Sequence, residues 1–214
     1  PLMKSLALLG TLLVLSPLAP AQAKPKPKPK PAAQKPAVRP LLGTAQLPGD
    51  NGQLNVPYSM GNKGSELNFT LESAEFADRV HFADQATLAN AEEKLLVLTF
   101  AVQNPLKVES NLSWNSFKFT VVSPDDQNQD FDGYLYHPER KTRFDSTLKP
   151  AQKVKATIAI PIHAVGPVNK LMVRRGDAPV LRYDLRGKVK PLTGPFASNE
   201  GVDILKEGQA AVGT

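Results

Sequence analysis

The segment 128–139, NQDFDGYLYHPE, carries oxygen-bearing side chains at the spacing of a calcium-binding loop. Calcium takes about six to eight oxygen ligands, and a twelve-residue loop of this kind supplies them from positions 1, 3, 5 and 12 around a Gly at position 6. The segment therefore predicts a calcium site, which Asp126 just before it could join. The residues at positions 1, 3, 5 and 12 are Asn128, Asp130, Asp132 and Glu139, and Gly133 stands at position 6.

Three features of the same segment favour an ordinary acidic turn between two strands. Position 1 is Asn128 instead of Asp, which removes one negative charge. Pro138 blocks the helical exit that would carry Glu139 back to the ion. The flanking residues also alternate as strands do. We therefore keep two hypotheses, a plain solvated turn and a calcium site on the loop 125–139, and we expect no other cofactor.

Aromatic residues interrupt this acidic segment and could contact a partner. Phe131 and Tyr134 flank the Asp-Gly pair, so a turn there would present them at its tip, where exposed aromatic side chains often mark contact sites. The alternative is that they pack onto the end of the fold. The only Trp of the chain, Trp114, lies in the sequence LSWNSF, and we expect it at the edge of the core.

The rest of the chain carries no recognisable catalytic motif. The patterns GxSxG, HExxH and GxxxxGK[ST] do not occur. The chain has no Cys, which excludes disulfides, thiolate metal sites and Cys nucleophiles. A metal site needs at least three converging ligands, and the spacing of His81, His137 and His163 does not predict one. We therefore expect that the protein is not an enzyme.

The beginning of the chain is typical of a secretory signal peptide, predicted at residues 1–23. Lys4 gives a positive charge, a mostly apolar run follows at 6–15, and the sequence AQA at 21–23 is a small-residue cleavage site. The apolar run is about half of the roughly 20 residues that span a bilayer. No later segment is longer and more apolar, so we expect no transmembrane segment in the mature chain and a secreted or periplasmic location.

Lys and Pro alternate in KPKPKPKPAAQKPAVRP, residues 24–40, which opens a predicted linker at 24–53. Pro fixes φ and lacks the N–H donor, so this stretch predicts a disordered polyproline II stalk. Without the basic residues of 24–40 and Lys4, the net charge of +6 becomes −1 for residues 41–214. The basicity therefore belongs to the stalk, and we do not expect nucleic acid as a partner. The stalk is a spacer, or it contacts an anionic envelope polymer through side chains such as Lys24, Lys26, Lys28 and Lys30.

Short segments with the two-residue period of strands follow one another through the middle of the chain. Apolar and polar residues alternate in ELNFTLESAEF (66–76) and in KVKATIAIPI (153–162). KLLVLTFAVQN (94–104) is nearly all apolar, as in a strand that is buried on both faces. No long stretch has a helical period. We therefore predict an all-β fold, an antiparallel β-sandwich of seven or eight strands at 54–188, with a flexible tail at 189–214.

Three pieces occur in a characteristic order: GSELNFTLESAEF, then LLVLTFAVQNP, then the run from FKFTVVSPDDQ through DFDGYLY to STLKPAQKVKATIAIPI. Together they resemble the secreted immunoglobulin-like domains of bacterial lipoproteins and exported proteins of unknown function, a group related to the mycobacterial immunoprotective extracellular antigen. The resemblance covers roughly residues 60–187 and implies an immunoglobulin-like sandwich with no agreed activity. Many of these domains carry a lipid-bearing Cys after the signal peptide, where this chain has the Lys-Pro repeat.

These observations predict an exported, non-enzymatic binding or structural module of the bacterial cell envelope. Its partner would be an envelope protein or an anionic envelope polymer. The alternative is a calcium-binding β-sandwich module that uses the loop 125–139.

Overall fold

The computed structural model describes residues 41–82 and 86–192, and every regular element in these ranges is a β-strand. None of the described elements is therefore a helix that could cross a bilayer. Three strands of eleven residues each form the frame of the fold, and the others have three to five residues. The strands are β1 Tyr58–Met60, β2 Leu67–Ala77, β3 Arg79–His81, β4 Ala86–Leu88, β5 Glu93–Gln103, β6 Ser110–Leu112, β7 Lys118–Val122, β8 Asn128–Phe131, β9 Ser146–Leu148, β10 Lys153–His163, β11 Lys170–Arg174 and β12 Leu181–Asp184.

Eight of these strands form two four-stranded antiparallel sheets. The first sheet has the order β1-β2-β5-β10 and the second has the order β12-β11-β7-β8. β2, β5 and β10 correspond to strands A, B and E of an immunoglobulin domain, and β7, β11 and β12 correspond to strands C, F and G. β8 adds the extra edge strand that variable-type domains have beside strand C. The predicted all-β, immunoglobulin-like sandwich is confirmed, and its two main sheets contain eight strands.

The core lies between the two sheets and is rich in aromatic rings. Phe69 of β2 stacks on Phe100 of β5 with ring centroids 4.8 Å apart. Phe117 meets both rings edge-on, with centroid distances of 5.3 and 5.9 Å. Leu67, Phe69 and Leu71 are fully buried, as the alternation of the sequence predicts.

A second, smaller apolar cluster explains why β5 is apolar on both faces. Leu95 and Val97 of β5 alternate with the residues that face the main core and belong to a separate cluster with Phe82, Tyr136 and Ala159. The rings of Phe82 and Tyr136 stack with centroids 3.5 Å apart. The β3–β4 hairpin contributes to this cluster, so both faces of β5 are buried.

The described domain extends beyond the predicted boundaries at its N-terminal side. Residues 41–53 were predicted to belong to the linker, but they are hydrogen-bonded to the sandwich. The Thr44 amide donates to the Pro57 carbonyl, and the Gly52 amide donates to the Arg182 carbonyl at 2.6 Å. The linker therefore ends earlier than residue 53, because this stretch has partners on β1 and β12 that are distant in sequence.

The C-terminal boundary shifts in the same way, by a few residues. The Phe76 amide donates to the Lys190 carbonyl, and the Lys190 amide donates to the Ala74 carbonyl, so residue 190 adds to the free edge of β2. Leu192 is buried. The predicted signal peptide, the Lys-Pro segment 24–40 with Lys24, Lys26, Lys28 and Lys30, and the rest of the predicted tail lie outside the described residues, so what was said of them stays a prediction.

Two local expectations were wrong. The acidic segment was expected to be a turn, but Asn128–Phe131 is an edge strand that pairs with β7, and the turn of this hairpin lies earlier, at residues 123–127. No strand was predicted between ELNFTLESAEF (66–76) and KLLVLTFAVQN (94–104), but Ala86–Leu88 is a strand paired with β3. In both cases the pairing partner, which single-segment periodicity does not reveal, decides the conformation.

Tyr183→Phe is expected to keep or slightly raise stability, by up to about 1 kcal/mol. The Tyr183 hydroxyl is buried and approaches the Leu71 backbone without forming a well-aligned hydrogen bond to the described residues, and a buried hydroxyl without a well-formed bond costs free energy. Tyr58→Phe is the matched control, because the Tyr58 hydroxyl accepts a hydrogen bond from the Gln53 amide at 3.0 Å. Urea unfolding should show Tyr58→Phe as the more destabilised variant, by about 1 kcal/mol. A larger loss for Tyr183→Phe would mean that its hydroxyl has a partner.

Candidate functional site

The acidic strand β8 begins after a tight turn that is closed by its own side chains. The Ser123 amide donates to the Gln127 carbonyl, and the Ser123 hydroxyl donates to the Asp125 carboxylate. This hydroxyl and nearby backbone amides lower the pKa of Asp125. Asp126 has a φ of 59°, the left-handed conformation that Asp tolerates better than most residues. Two of the acidic residues therefore shape the turn.

The two acidic residues at the other end of β8 both form an ion pair with the same Lys side chain. Lys118 Nζ lies 3.5 Å from Asp130 Oδ2 and 3.7 Å from Asp132 Oδ2. The Thr120 hydroxyl donates to Asp130 Oδ1 at 2.6 Å, and this bond is the main cause of the lowered pKa of Asp130, with Lys118 adding to it. The ammonium group of Lys118 thus occupies the position between these carboxylates.

The five predicted calcium ligands are spread along the hairpin. Asp126 and Asn128 lie at the turn, Asp130 and Asp132 lie one strand length away, and Glu139 belongs to the next loop, where its charge acts on Lys155. Within residues 41–82 and 86–192, no three acidic or His side chains are placed to hold one metal ion. Calcium binding stays a prediction from the sequence.

The two aromatic residues predicted as contact points have different surroundings. Phe131 is partly buried and packs against the main core, and its ring fills the space that a Cβ at Gly133 would need. Tyr134 has an exposed fraction of 40%. The structure therefore leaves Tyr134 available for a partner and gives Phe131 a packing role.

Trp114 and Arg143 join Tyr134 in an exposed group that we call the aromatic surface. The rings of Trp114 and Tyr134 have centroids 5.2 Å apart and are tilted by 51°. The guanidinium carbon of Arg143 lies 3.9 Å from the Tyr134 centroid, a cation–π contact. Trp114 is 41% exposed. It was expected at the edge of the core, and the turn-forming residues around it, Ser113 and Asn115, are the signal that could have placed it outside.

Two hydrogen-bonded loops hold the aromatic surface in place. The Ser116 amide donates to the Ser113 carbonyl, and the Ser113 amide donates to the Ser116 hydroxyl at 2.8 Å, so the loop that carries Trp114 is closed. On the other side, Tyr136 forms a bridge with Arg143, and the Phe144 amide donates to the Leu135 carbonyl. Tyr134 and Arg143 are therefore brought together by backbone bonds of their own loop.

Protonation of His137 is expected to destabilise this second loop. The His137 ring stacks on Phe144 with centroids 3.9 Å apart, and burial, together with repulsion from Arg140, lowers its pKa. The unfolded chain then takes up this proton at a higher pH than the folded one, so the free energy of unfolding should fall as the pH drops below about 6.5. Urea unfolding between about pH 8 and 5 measures the slope, and His137→Gln should reduce it. An unchanged slope in this variant would contradict the assignment to His137.

A shallow depression lies at the other end of the β7–β8 hairpin. Its walls are the turn at Ser123 and Pro124 and the loop after β10, with His163, Val165 and Gly166. The loop is held by Lys94, whose Nζ donates to the Gly166 carbonyl at 2.8 Å. Asp125, which accepts the hydrogen bond from the Ser123 hydroxyl, and His163 line the same depression, and the Asp125 pKa is lowered mainly by that hydrogen bond, with a smaller contribution from His163.

Comparisons with known proteins give a fold likeness only. No family model matches the sequence, and no curated protein matches it. An uncharacterized β-sandwich protein from Clostridium difficile 630 is 12% identical, with 66% of this chain and 99% of that chain covered and a TM-score of 0.46. A candidate lipoprotein from Bacillus subtilis is 12% identical, with 62% of this chain and 39% of that chain covered and a TM-score of 0.41. Neither likeness carries an argument about function, and the relation to the mycobacterial antigen stays a prediction.

Proposed function

We propose that this protein is an exported, non-enzymatic binding module of the bacterial cell envelope that contacts its partner through the aromatic surface. The single observation that carries the proposal is the exposed contact group of Trp114, Tyr134 and Arg143. Trp, Tyr and Arg are the residue types that dominate binding energy at protein interfaces. In this fold they are grouped at the surface, although most of the other aromatic rings lie in the two buried clusters.

The aromatic surface is suited to binding because its side chains are held before a partner arrives. The ring–ring and ring–guanidinium contacts restrict the rotamers of all three side chains, and this lowers the entropy lost on binding. Within the part of the chain that the structure describes, neither the Trp114 indole N–H nor the Tyr134 hydroxyl has a hydrogen-bond partner. Both groups can therefore donate to a ligand while the ring faces supply apolar contact area.

The predicted signal peptide and the Lys-Pro segment 24–40 support the proposed location at the cell envelope. The segment holds six basic and no acidic residues, so it is attracted to anionic envelope polymers over a Debye length of about 8–10 Å at physiological salt. Such an attraction would keep the domain at the envelope, while the aromatic surface would select the partner. The two contributions are separable by deleting residues 24–40 or by changing the surface alone.

Capture of envelope components by the purified full chain tests the aromatic surface. Trp114→Ala and Tyr134→Ala should each lose a specific captured component, because truncation of such a residue costs about 2 kcal/mol or more at an interface. Leu88→Ala is the matched control, since Leu88 is an exposed apolar residue on a different hairpin. If both surface variants capture the same components as the unchanged chain, the aromatic surface is not the binding site.

A further inference from the structure

The only Asn-Gly pair of the chain, Asn51-Gly52, lies in the segment that pairs with β12. An Asn side chain deamidates most readily when Gly follows it, because Gly has no Cβ to hinder the approach of its own backbone nitrogen to the side-chain amide. In this reaction the nitrogen of Gly52 attacks Cγ of Asn51, and ammonia leaves. Asn51 is exposed, so its side chain is open to the attack and to the water that completes the reaction.

Packing against Tyr183 is the reason for a glycine at position 52. Gly52 is buried and forms a bridge with Tyr183 of β12. A Cβ at position 52 would lie 2.6 Å from Tyr183 Cε1, closer than two carbon atoms can approach, so a larger residue does not fit without a shift. The close contact at the edge of the second sheet therefore also creates the reactive Asn-Gly sequence.

The same contact occupies the nitrogen atom that would react. The Gly52 amide donates to the Arg182 carbonyl at 2.6 Å. This nitrogen must lose its proton and leave the carbonyl before it can reach Cγ of Asn51, so the docked segment does not react. The Gln46 side chain holds the segment on the same residue, because its Nε2 donates to the Arg182 carbonyl and its Oε1 accepts from the Arg182 amide, each at 2.8 Å.

We propose that Asn51 is a deamidation site that docking of residues 46–52 on β12 keeps closed, and that its isoaspartate product cannot dock again. In the detached segment, the Gly52 nitrogen bonds to Cγ of Asn51, and the side-chain amide leaves as ammonia with the proton of that nitrogen. The product is a cyclic imide. One water molecule then opens the ring at either carbonyl, which gives Asp or isoaspartate.

The isoaspartate form is the one that prevents docking. In this form the backbone runs through the side chain, so it contains one additional CH2 group between residues 51 and 52. This group falls between Gln46 and Gly52, and the turn between these two contacts is closed by the Asp50 amide, which donates to the Leu47 carbonyl at 3.1 Å. Gly52 then no longer meets β12 in register, and β12 keeps an open edge that can pair with another chain.

Peptide mass spectrometry of the full chain during incubation at about pH 8 measures the protection of Asn51. In concentrated urea at the same pH, Asn51 should deamidate faster than the other Asn residues. In the native chain its deamidation should be at least about tenfold slower, because the rate follows the population of the open form. Native chain that converts Asn51 as fast as in urea overturns the proposal, and so does an Asn51 that stays intact in urea.

A substitution outside the reacting pair tests whether docking is the cause of the protection. Gln46→Ala removes both side-chain bonds to Arg182 and should raise the native deamidation rate of Asn51 about fivefold or more. Gln129→Ala is the matched control, because it removes a similar exposed bond, from Nε2 to the Pro161 carbonyl at 3.0 Å, at a different edge. This control should deamidate like the unchanged chain. Equal rates in Gln46→Ala and Gln129→Ala contradict the proposed protection.

Hydrogen exchange of the Gly52 amide tests whether isoaspartate prevents docking. Asn51→Asp is the control, because it has the same charge as the isoaspartate form and a backbone of normal length. The Gly52 amide should stay protected in Asn51→Asp and should exchange at least about tenfold faster in the isoaspartate form, which chromatography separates from the Asp form of equal mass. Equal protection in the two forms would overturn the proposed loss of docking.

Discussion

Asn104→Ala is expected to lower the free energy of unfolding by about 3 kcal/mol or more, because three hydrogen bonds of a fully buried side chain are lost together. Asn104 Nδ2 donates to the Val108 carbonyl at 2.8 Å and to the Leu148 carbonyl at 3.0 Å, and its Oδ1 accepts from the Leu106 amide at 3.0 Å. Ala would leave the buried Leu148 carbonyl and the partly buried Val108 carbonyl and Leu106 amide without that partner.

The position of Asn104 explains why the expected loss is so large. Asn104 follows the last residue of β5, and its backbone amide and carbonyl bond to Gln152 and Ala151 in the turn before β10. Through its side chain it also fixes the loop that leads to β6 and the end of β9. One residue thus joins the end of the central strand to three neighbouring segments, including the loop that leads towards Trp114.

Two further variants make the Asn104 prediction specific. Asn104→Asp has nearly the same shape but cannot donate to the two carbonyls, so it should be at least as unstable as Asn104→Ala. Asn111→Ala is the matched control, because this exposed Asn makes one long bond to Thr147 at 3.2 Å, and it should cost less than about 0.5 kcal/mol. The Tm of Asn104→Ala should fall by roughly 10 °C, at about 2–4 °C per kcal/mol. A fall as small as that of Asn111→Ala would show that the bonds contribute little.

The long strands could be predicted from the sequence because burial imposes the period locally. β2 and β10 alternate, and β5 is apolar from Leu95 to Val102 except for Thr99, since both of its faces are covered. The end of β5 is also visible in the sequence, because Pro105 cannot continue a central strand. Where one face of a strand is buried in the main core, every second residue of that strand is apolar. This pattern can be recognised without knowing the partner strand.

The candidate site could be predicted only in part, because it depends on contacts between distant residues. β8 has the polar sequence NQDF, and its strand conformation comes from pairing with β7 on an exposed edge. The acidic spacing predicts calcium from side-chain oxygens alone, and it gives no information about Lys118, which lies between two of the carboxylates. Tyr134 was predicted as a contact residue, and its partners are Trp114, which comes from another loop, and Arg143, which lies on the returning side of the same loop.

A chain that begins at residue 54, the boundary that the sequence predicted, is expected to be less stable than a chain that begins at residue 41, by about 3–5 kcal/mol. Asn68 of β2 is buried, and both of its side-chain bonds go to the missing segment: Nδ2 donates to the Leu41 carbonyl at 2.8 Å and Oδ1 accepts from the Gly43 amide at 2.7 Å. Each buried polar group that loses its partner costs about 1–3 kcal/mol.

The same truncation removes the cover from the edge of the second sheet. Gly52 pairs with Tyr183, and its amide donates to the Arg182 carbonyl of β12. Gln46 bonds to both the amide and the carbonyl of Arg182, each at 2.8 Å. Without residues 41–53, β12 presents unpaired backbone groups at an open edge, which is a template for association with another chain. The shorter chain should therefore also aggregate more readily.

A point substitution in the full chain shows whether this cover contributes to stability without removing any residue. A Cβ at Gly52 would lie 2.6 Å from Tyr183 Cε1, closer than two carbon atoms can approach, so Gly52→Val should displace the segment from β12. Gly49→Val is the control, because a Cβ there meets nothing within 4 Å, although its φ of 89° adds some backbone strain. Urea unfolding of both variants and of the two chain lengths should rank Gly52→Val with the chain that begins at residue 54. If the two chain lengths are equally stable, residues 41–53 do not unfold together with the rest of the domain. Their contacts would then contribute nothing to the free energy of unfolding.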